Sequence, residues 1–158
     1  MNDGIQIRPF APGDRELVNA FFDRMGPETR FFFNQGDGNR RTALRYFDGQ
    51  DPTPTLRWLA EAEAEGRMVG YVFLWDLHTA IPWLGIAVAD DLKGQGLGTR
   101  LIETAKDYCR DQGKGGILLT THYANTRGQA LYGGRGFERL GLFDASEMLY
   151  LYRFKQQP

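Results

Sequence analysis

DLKGQGLGTRLIE, Asp91 to Glu103, carries glycines at positions 94, 96 and 98 directly ahead of a helical pattern. Upstream, WLGIAVA (Trp83 to Ala89) is continuously apolar, as suits a strand covered on both faces in the middle of a sheet. Downstream, Leu97, Leu101, Ala105 and Tyr108 form one stripe with Ile102 and Cys109 alongside, so a core-packed helix is expected to end near Gly113. GGILLTT then supplies a second buried strand, and strand, glycine turn, helix and strand make a right-handed βαβ crossover with a parallel pair. Such a turn exposes backbone N–H groups beside the positive end of the helix dipole, where an anion can settle. No Asp or Glu lies between Gly94 and Arg100 to answer that dipole internally.

The rest of the chain arranges itself around this unit. Residues 4 to 9 alternate like a strand, and Leu17, Phe21 and Met25 share a helical stripe for which Asp14 is the expected N-cap. Residues 26 to 55 mix Gly and Pro punctuation with one short helix around Asn39 to Phe47 and give no firm register. LRWLAEAEA and RMVGYVFLWDL read as an antiparallel hairpin turning at Gly66. A short helix over Arg127 to Arg135, weakened by Gly128, Gly133 and Gly134, precedes the strands FERLGLF and EMLYLYRF. The sum is a mixed α/β sheet.

Composition narrows the function. With 158 residues and 42% hydrophobic content, residues 1–158 are expected to form one domain around one core. A formal net charge of -1 gives no global attraction to nucleic acid or to an acidic membrane, and no stretch approaches the ~20 apolar residues of a membrane span. One cysteine, Cys109, on the helical core stripe, excludes an internal disulfide framework and gives little support to covalent cysteine chemistry; two histidines beside it are too few for a zinc site. With no secretion-type apolar run in MNDGIQIRPF, cytoplasmic residence is expected. Two phosphate motifs fail on spacing: there is no Gly-Lys-Ser/Thr, and Thr99 and Leu101 stand where a dinucleotide fingerprint needs its last glycine.

The pattern resembles the GNAT superfamily of acyl-CoA-dependent N-acyltransferases, whose signature Arg/Gln-x-x-Gly-x-Gly/Ala reads here as KGQGLG, with Lys93 in place of the usual Arg. A second family motif, Asn-x(6)-Tyr-x(3)-Gly-Phe, is met by Asn125, Tyr132, Gly136 and Phe137. The resemblance implies a mostly antiparallel twisted sheet, flanked by about four helices, whose central parallel pair splays to admit the pantetheine arm of acetyl-CoA. Carried over, the backbone at Ile86 and Val88 pairs with the pantetheine amides, and the Val88 N–H polarises the thioester carbonyl. The loop Lys93, Gly94, Gln95, Gly96, Leu97, Gly98, Thr99 and Arg100 holds the pyrophosphate. Asn125 has two readings, a contact to the cofactor or a cap on the following helix.

The same resemblance makes Tyr132 the acid that protonates the departing thiolate, a role its ordinary pKa near ~10 allows. The base is open. His122, just beyond the second parallel strand, is the nearest titratable group; Asp76 and His78 are more distant alternatives, and no acidic residue lies within Trp83 to Ala89, which leaves room for a water-mediated route. Phe31 to Phe33 and Tyr46-Phe47 are candidate walls of an amine site, with core packing as the alternative, and Arg40-Arg41 reads as a solvated helix face. The function implied is acetyl transfer from acetyl-CoA to a primary amine in a ternary complex, without metal. A non-catalytic acyl-CoA sensor or a longer acyl donor are the alternatives. Family habit adds the option of a homodimer through the C-terminal strands.

Overall fold

The computed structural model describes residues 4–52 and 54–155; residues 1–3, Thr53 and 156–158, which the domain reading of 1–158 also includes, lie outside the described residues. Strand β1 (Ile5–Pro9) is followed by three short helices, α1 (Arg15–Asp23), α2 (Pro27–Phe33) and α3 (Gly38–Leu44). Strands β2 (Leu56–Ala62), β3 (Arg67–Trp75) and β4 (Trp83–Val88) lead through the glycine turn to α4 (Leu97–Asp111). Then come β5 (Gly116–His122), α5 (Thr126–Gly134), β6 (Glu138–Leu142) and β7 (Glu147–Arg153). One seven-stranded sheet results, in the order β1-β2-β3-β4-β5-β7-β6, with β4 and β5 as its parallel pair and every other pairing antiparallel. The hairpin turns at Gly66, whose positive φ of 61° suits glycine.

The two faces of the sheet carry different cores, and β3 shows why. Its alternation sends Val72 and Leu74 toward Leu97, Leu101, Ile102 and Ala105 of α4, while Tyr71 and Phe73 join Val18, Phe21 and Phe22 of α1 on the opposite face. All of these except Phe21 and Phe73 are essentially inaccessible to water. β3 therefore reads as a continuous apolar run although its pairings are antiparallel.

Two expectations need correction. Asp14 does not cap α1 with its side chain; that carboxylate takes a bidentate grip from Arg8, at 2.7 and 2.9 Å, and accepts the N–H of Ala11 at 2.7 Å. Arg40 is not a solvated face: its guanidinium pairs with Asp23 at 2.8 Å and Asp37 at 3.0 Å and covers the ring of Phe22. Of the two readings of Tyr46 and Phe47, core packing is the one seen: both pack on Phe10 beside the α1-side core. The segment from residue 26 holds the helix α2, whose first turn is capped from afar: Asp90 accepts the N–H of Gly26 at 2.7 Å and the hydroxyl of Thr29. Five α-helices flank the sheet among the described residues, where about four were expected.

Candidate active site

The parallel pair separates almost as soon as it forms. β4 and β5 are in register only at Trp83 and Leu118, with the Leu118 N–H on the Pro82 carbonyl at 2.9 Å. The Ala89 N–H bonds toward β3, onto Val69, so strand alternation turns the N–H groups of Ile86 and Val88 the other way, into the opening. Both residues line that opening. The splay required to admit a linear ligand is present, with the expected backbone groups on its edge.

At the mouth of the opening, Gly94 and Gly96 adopt φ of 78° and 88°, which side chains rarely tolerate. Gly96 caps α4, and its carbonyl takes the first helical bond, from the Arg100 N–H at 3.2 Å. The N–H groups of Leu97, Gly98 and Thr99 therefore precede the helical ladder and stay available to an anion. Gly98 has a different reason to be glycine: a Cβ would stand 2.9 Å from Leu131 Cδ2 of α5. Lys93, Gly94, Gly96, Gly98 and Thr99 all line a cleft of about 430 Å³. This backbone cradle, bare of side chains, fits a pyrophosphate.

The side chains of the loop depart from the expectation. Lys93 donates to Thr29 and lies 3.3 Å from Asp90, so its charge is already partly answered. Burial works against ionising Asp90, but the Thr29 hydroxyl, the Gly26 N–H and Lys93 together hold its carboxyl below the ordinary range. Gln95 turns back to the Asp91 carbonyl, Leu97 is wholly buried in the core, and Arg100 reaches Ile5. The cation facing the cradle is Arg127, from the first turn of α5; its guanidinium also lines the cleft and makes no hydrogen bond or ion pair among the described residues.

Tyr132 sits at a junction. It lines the cleft and also a second chamber of about 410 Å³, and the two spaces share Phe32, Phe33, Ile86, Asn125 and Tyr132. The ring packs on Phe137 and Tyr150, and no hydrogen-bond partner meets its hydroxyl among the described residues. Burial, then the charges of Glu147 and Tyr150, push its pKa well above the ordinary tyrosine value, so it stays protonated at neutral pH. Asn125 follows the cap reading. Its Oδ1 accepts the Gly128 N–H and its Nδ2 donates to Thr121, both at 3.1 Å, and a Cβ on residue 128 would press on its amide.

His122 ends β5 but faces neither space; its imidazole lies among Phe31, Phe32 and Tyr123, and its Nδ1 accepts the Ala124 N–H at 3.0 Å. Asp76 and His78 are exposed in the turn after β3 and line neither of these spaces. Phe32 and Phe33 do wall both spaces, while Phe31 is half exposed. Besides Arg127, sequence reasoning missed Glu147, directly across the β5-β7 ladder from His122 and lining the second chamber with Tyr132. Cys109 is buried, which pushes its thiol up to about 11, and it takes no part. Among the described residues no group of three or more His, Cys, Asp or Glu is placed to hold a metal, and no helix is long and apolar enough to cross a membrane.

A splayed parallel pair with a glycine turn at the N-terminus of the helix that follows it is the frame the sequence resemblance implied, and the chain belongs to the GNAT family of acetyltransferases. It matches the model of the Acetyltransferase (GNAT) family over residues 18–137. YhfO of Bacillus subtilis (strain 168), described as an uncharacterized N-acetyltransferase, is 29% identical over 83 residues, 49% of this chain and 56% of that one. The chain spans 56% and 30% of the lengths of two curated relatives it matches. Among solved structures, a domain from Methanocaldococcus jannaschii DSM 2661 shares the fold at a TM-score of 0.77, with 21% identity over 95% of this chain and 98% of that one. The PaiA N-acetyltransferase from Thermoplasma acidophilum, solved in complex with coenzyme A, shares it at 0.70, with 17% identity over 95% and 99%.

Proposed function

We propose that the chain transfers an acetyl group from acetyl-CoA to a primary amine by direct attack within a ternary complex. The observation that carries this reading is the meeting of two chambers at Tyr132, one running to the glycine cradle and the other walled by aromatic side chains. The cradle from Lys93 to Thr99, assisted by Arg127, would hold the pyrophosphate, and the edge groups of Ile86 and Val88 would pair with the pantetheine arm. Acetyl-CoA supplies the activated acyl group. The Val88 N–H gives the carbonyl oxygen a preplaced donor as negative charge develops there.

The amine nitrogen attacks the thioester carbon, the C–N bond forms and the C–S bond breaks. Tyr132 gives its proton to the departing sulfur and recovers one from the new amide nitrogen. An ammonium must first lose a proton, which for a lysine-like pKa of ~10.4 costs about 4 to 5 kcal/mol at pH 7, so a nearby acceptor for that proton matters. The same reading takes residues 1–158 as one transferase domain.

Calorimetric titration with acetyl-CoA, followed by thiol release against a panel of amines, tests the proposal. Binding with amine-dependent release is expected. Binding without release from any amine would refute transfer, and absence of binding would refute the cradle assignment.

A further inference from the structure

The chamber beyond Tyr132 is lined by three charged side chains, Arg45, Arg57 and Glu147. Arg57 is already answered: it pairs with Asp51 at 2.6 Å and donates to the Tyr71 hydroxyl at 2.6 Å. The other two are not. Arg45, at the end of α3, makes no side-chain hydrogen bond or ion pair among the described residues, and Glu147, half-buried on β7, has no ion-pair partner there. Nor do they pair with each other.

An uncompensated carboxylate in a partly desolvated cavity is costly, and a cationic ligand removes that cost. The Thr120 hydroxyl and the nearby His122 favour the charged form of Glu147, and Asp144 opposes it. Burial outweighs these and raises the carboxyl pKa above the ordinary glutamate value. The chamber's lining also includes the apolar side chains Phe73, Trp75, Leu84 and Ile86, beside the polar Asn39, Thr42 and Thr121.

We infer that the acceptor is an amine carrying its own carboxylate, an amino acid or amino-acid-like molecule with an apolar body, whose ammonium is received by Glu147 and whose carboxylate is met by Arg45. This rests on reading the chamber as the acceptor site. A polycation such as a polyamine fits badly, because the other unanswered charge lining the chamber is the Arg45 guanidinium, and like charges repel. Glu147 takes one proton from the ammonium; the second leaves the nitrogen as the C–N bond forms and replaces the one Tyr132 gives to sulfur. Glu147 then returns its proton to solvent.

The test compares L-phenylalanine and L-leucine with their methyl esters, the matching decarboxylated amines and spermidine, by thiol release from acetyl-CoA and by saturation-transfer NMR without it. The free amino acids are expected to lead esters and amines in kcat/KM by about tenfold or more. Arg45→Gln should narrow that lead mainly through KM, and Glu147→Gln should lower kcat for every acceptor while acetyl-CoA binding persists. Preference for esters, decarboxylated amines or spermidine would overturn the inference and leave the transferase intact. If no amine released thiol, the transferase and the acceptor role would fall together, amino-acid binding lost in Glu147→Gln would still support recognition of an amino acid by this chamber, and absence of such binding would overturn that as well.

Discussion

Arg127 Nη1 stands 3.3 Å from where a Cβ on Gly94 would be, so a guanidinium from α5 overhangs the glycine turn that precedes α4. A cation over a row of backbone donors adds charge to a site whose shape comes from glycine. Arg127→Ala should weaken coenzyme A binding by about tenfold and flatten its dependence on salt, as removal of one phosphate-facing cation does. Calorimetry at two ionic strengths measures both effects, and an unchanged affinity would assign the cradle's work to backbone alone.

Gly96→Glu attacks the cradle directly. It adds a carboxylate beside the anion position and a side chain where φ is 88°. Binding of coenzyme A should vanish, and survival of binding would mean that the phosphates lie elsewhere.

Tyr132→Phe removes one hydroxyl and keeps the ring that packs on Phe137 and Tyr150. Because no protein group hydrogen-bonds that hydroxyl among the described residues, its loss leaves no orphaned partner. Turnover should fall by well over about tenfold with coenzyme A affinity nearly intact. Equal turnover in the two proteins would end the case for Tyr132 as the acid.

Asp90→Asn tests how α2 is held. Asp90 caps the first turn of α2 and pairs with Lys93 of the glycine loop. The substitution should cost about 1 kcal/mol of stability, as loss of a cap does, and should raise the acceptor KM because Phe32 and Phe33 ride on α2. A denaturant midpoint and a KM measurement on one preparation separate the two effects.

The Arg8-Asp14 pair sets an acid limit. Arg8 hydrogen bonds, and then the Ala11 N–H, hold the Asp14 carboxyl below its ordinary value in spite of burial. A carboxyl whose folded pKa is depressed stabilises the fold above its unfolded pKa of ~3.9, and that contribution fades as pH falls through the folded value. Wild type should therefore exceed Asp14→Asn in urea midpoint at pH 6 and converge on it below about pH 4. A gap that persisted into acid would point to packing instead of charge.

The unit from Trp83 to Thr121 was legible because each of its parts announces itself locally: a strand buried on both faces is a continuous apolar run, and an amphipathic helix shows its stripe. Tyr132 was legible through the spacing that links it to Asn125 and Gly136. What escaped depends on distant partners. The three aromatic residues Phe31 to Phe33 have no helical period, and the cap that starts α2 belongs to Asp90, 64 positions away. Glu147 looks like the polar opening of an edge strand until β5 is laid beside it, and Arg127 reads as an ordinary first-turn cation until α5 is turned toward Gly94. Arg40 misled for the opposite reason, since an exposed-looking charge found two carboxylates and an aromatic ring.

The single register pair joining Trp83 to Leu118 makes the sheet less a plank than two panels, β1 to β4 and β5 to β7, fastened at one rung and braced across the gap by α4. Besides that rung and the helix, the Gly115 N–H on the Ala80 carbonyl at 2.8 Å ties the panels at the same closed end, so strain crosses there and not along the open edges. A ligand lying along the open edges and bonded to both would act as a removable rung, so the stiffness of the fold would rise with its binding and fall with its release.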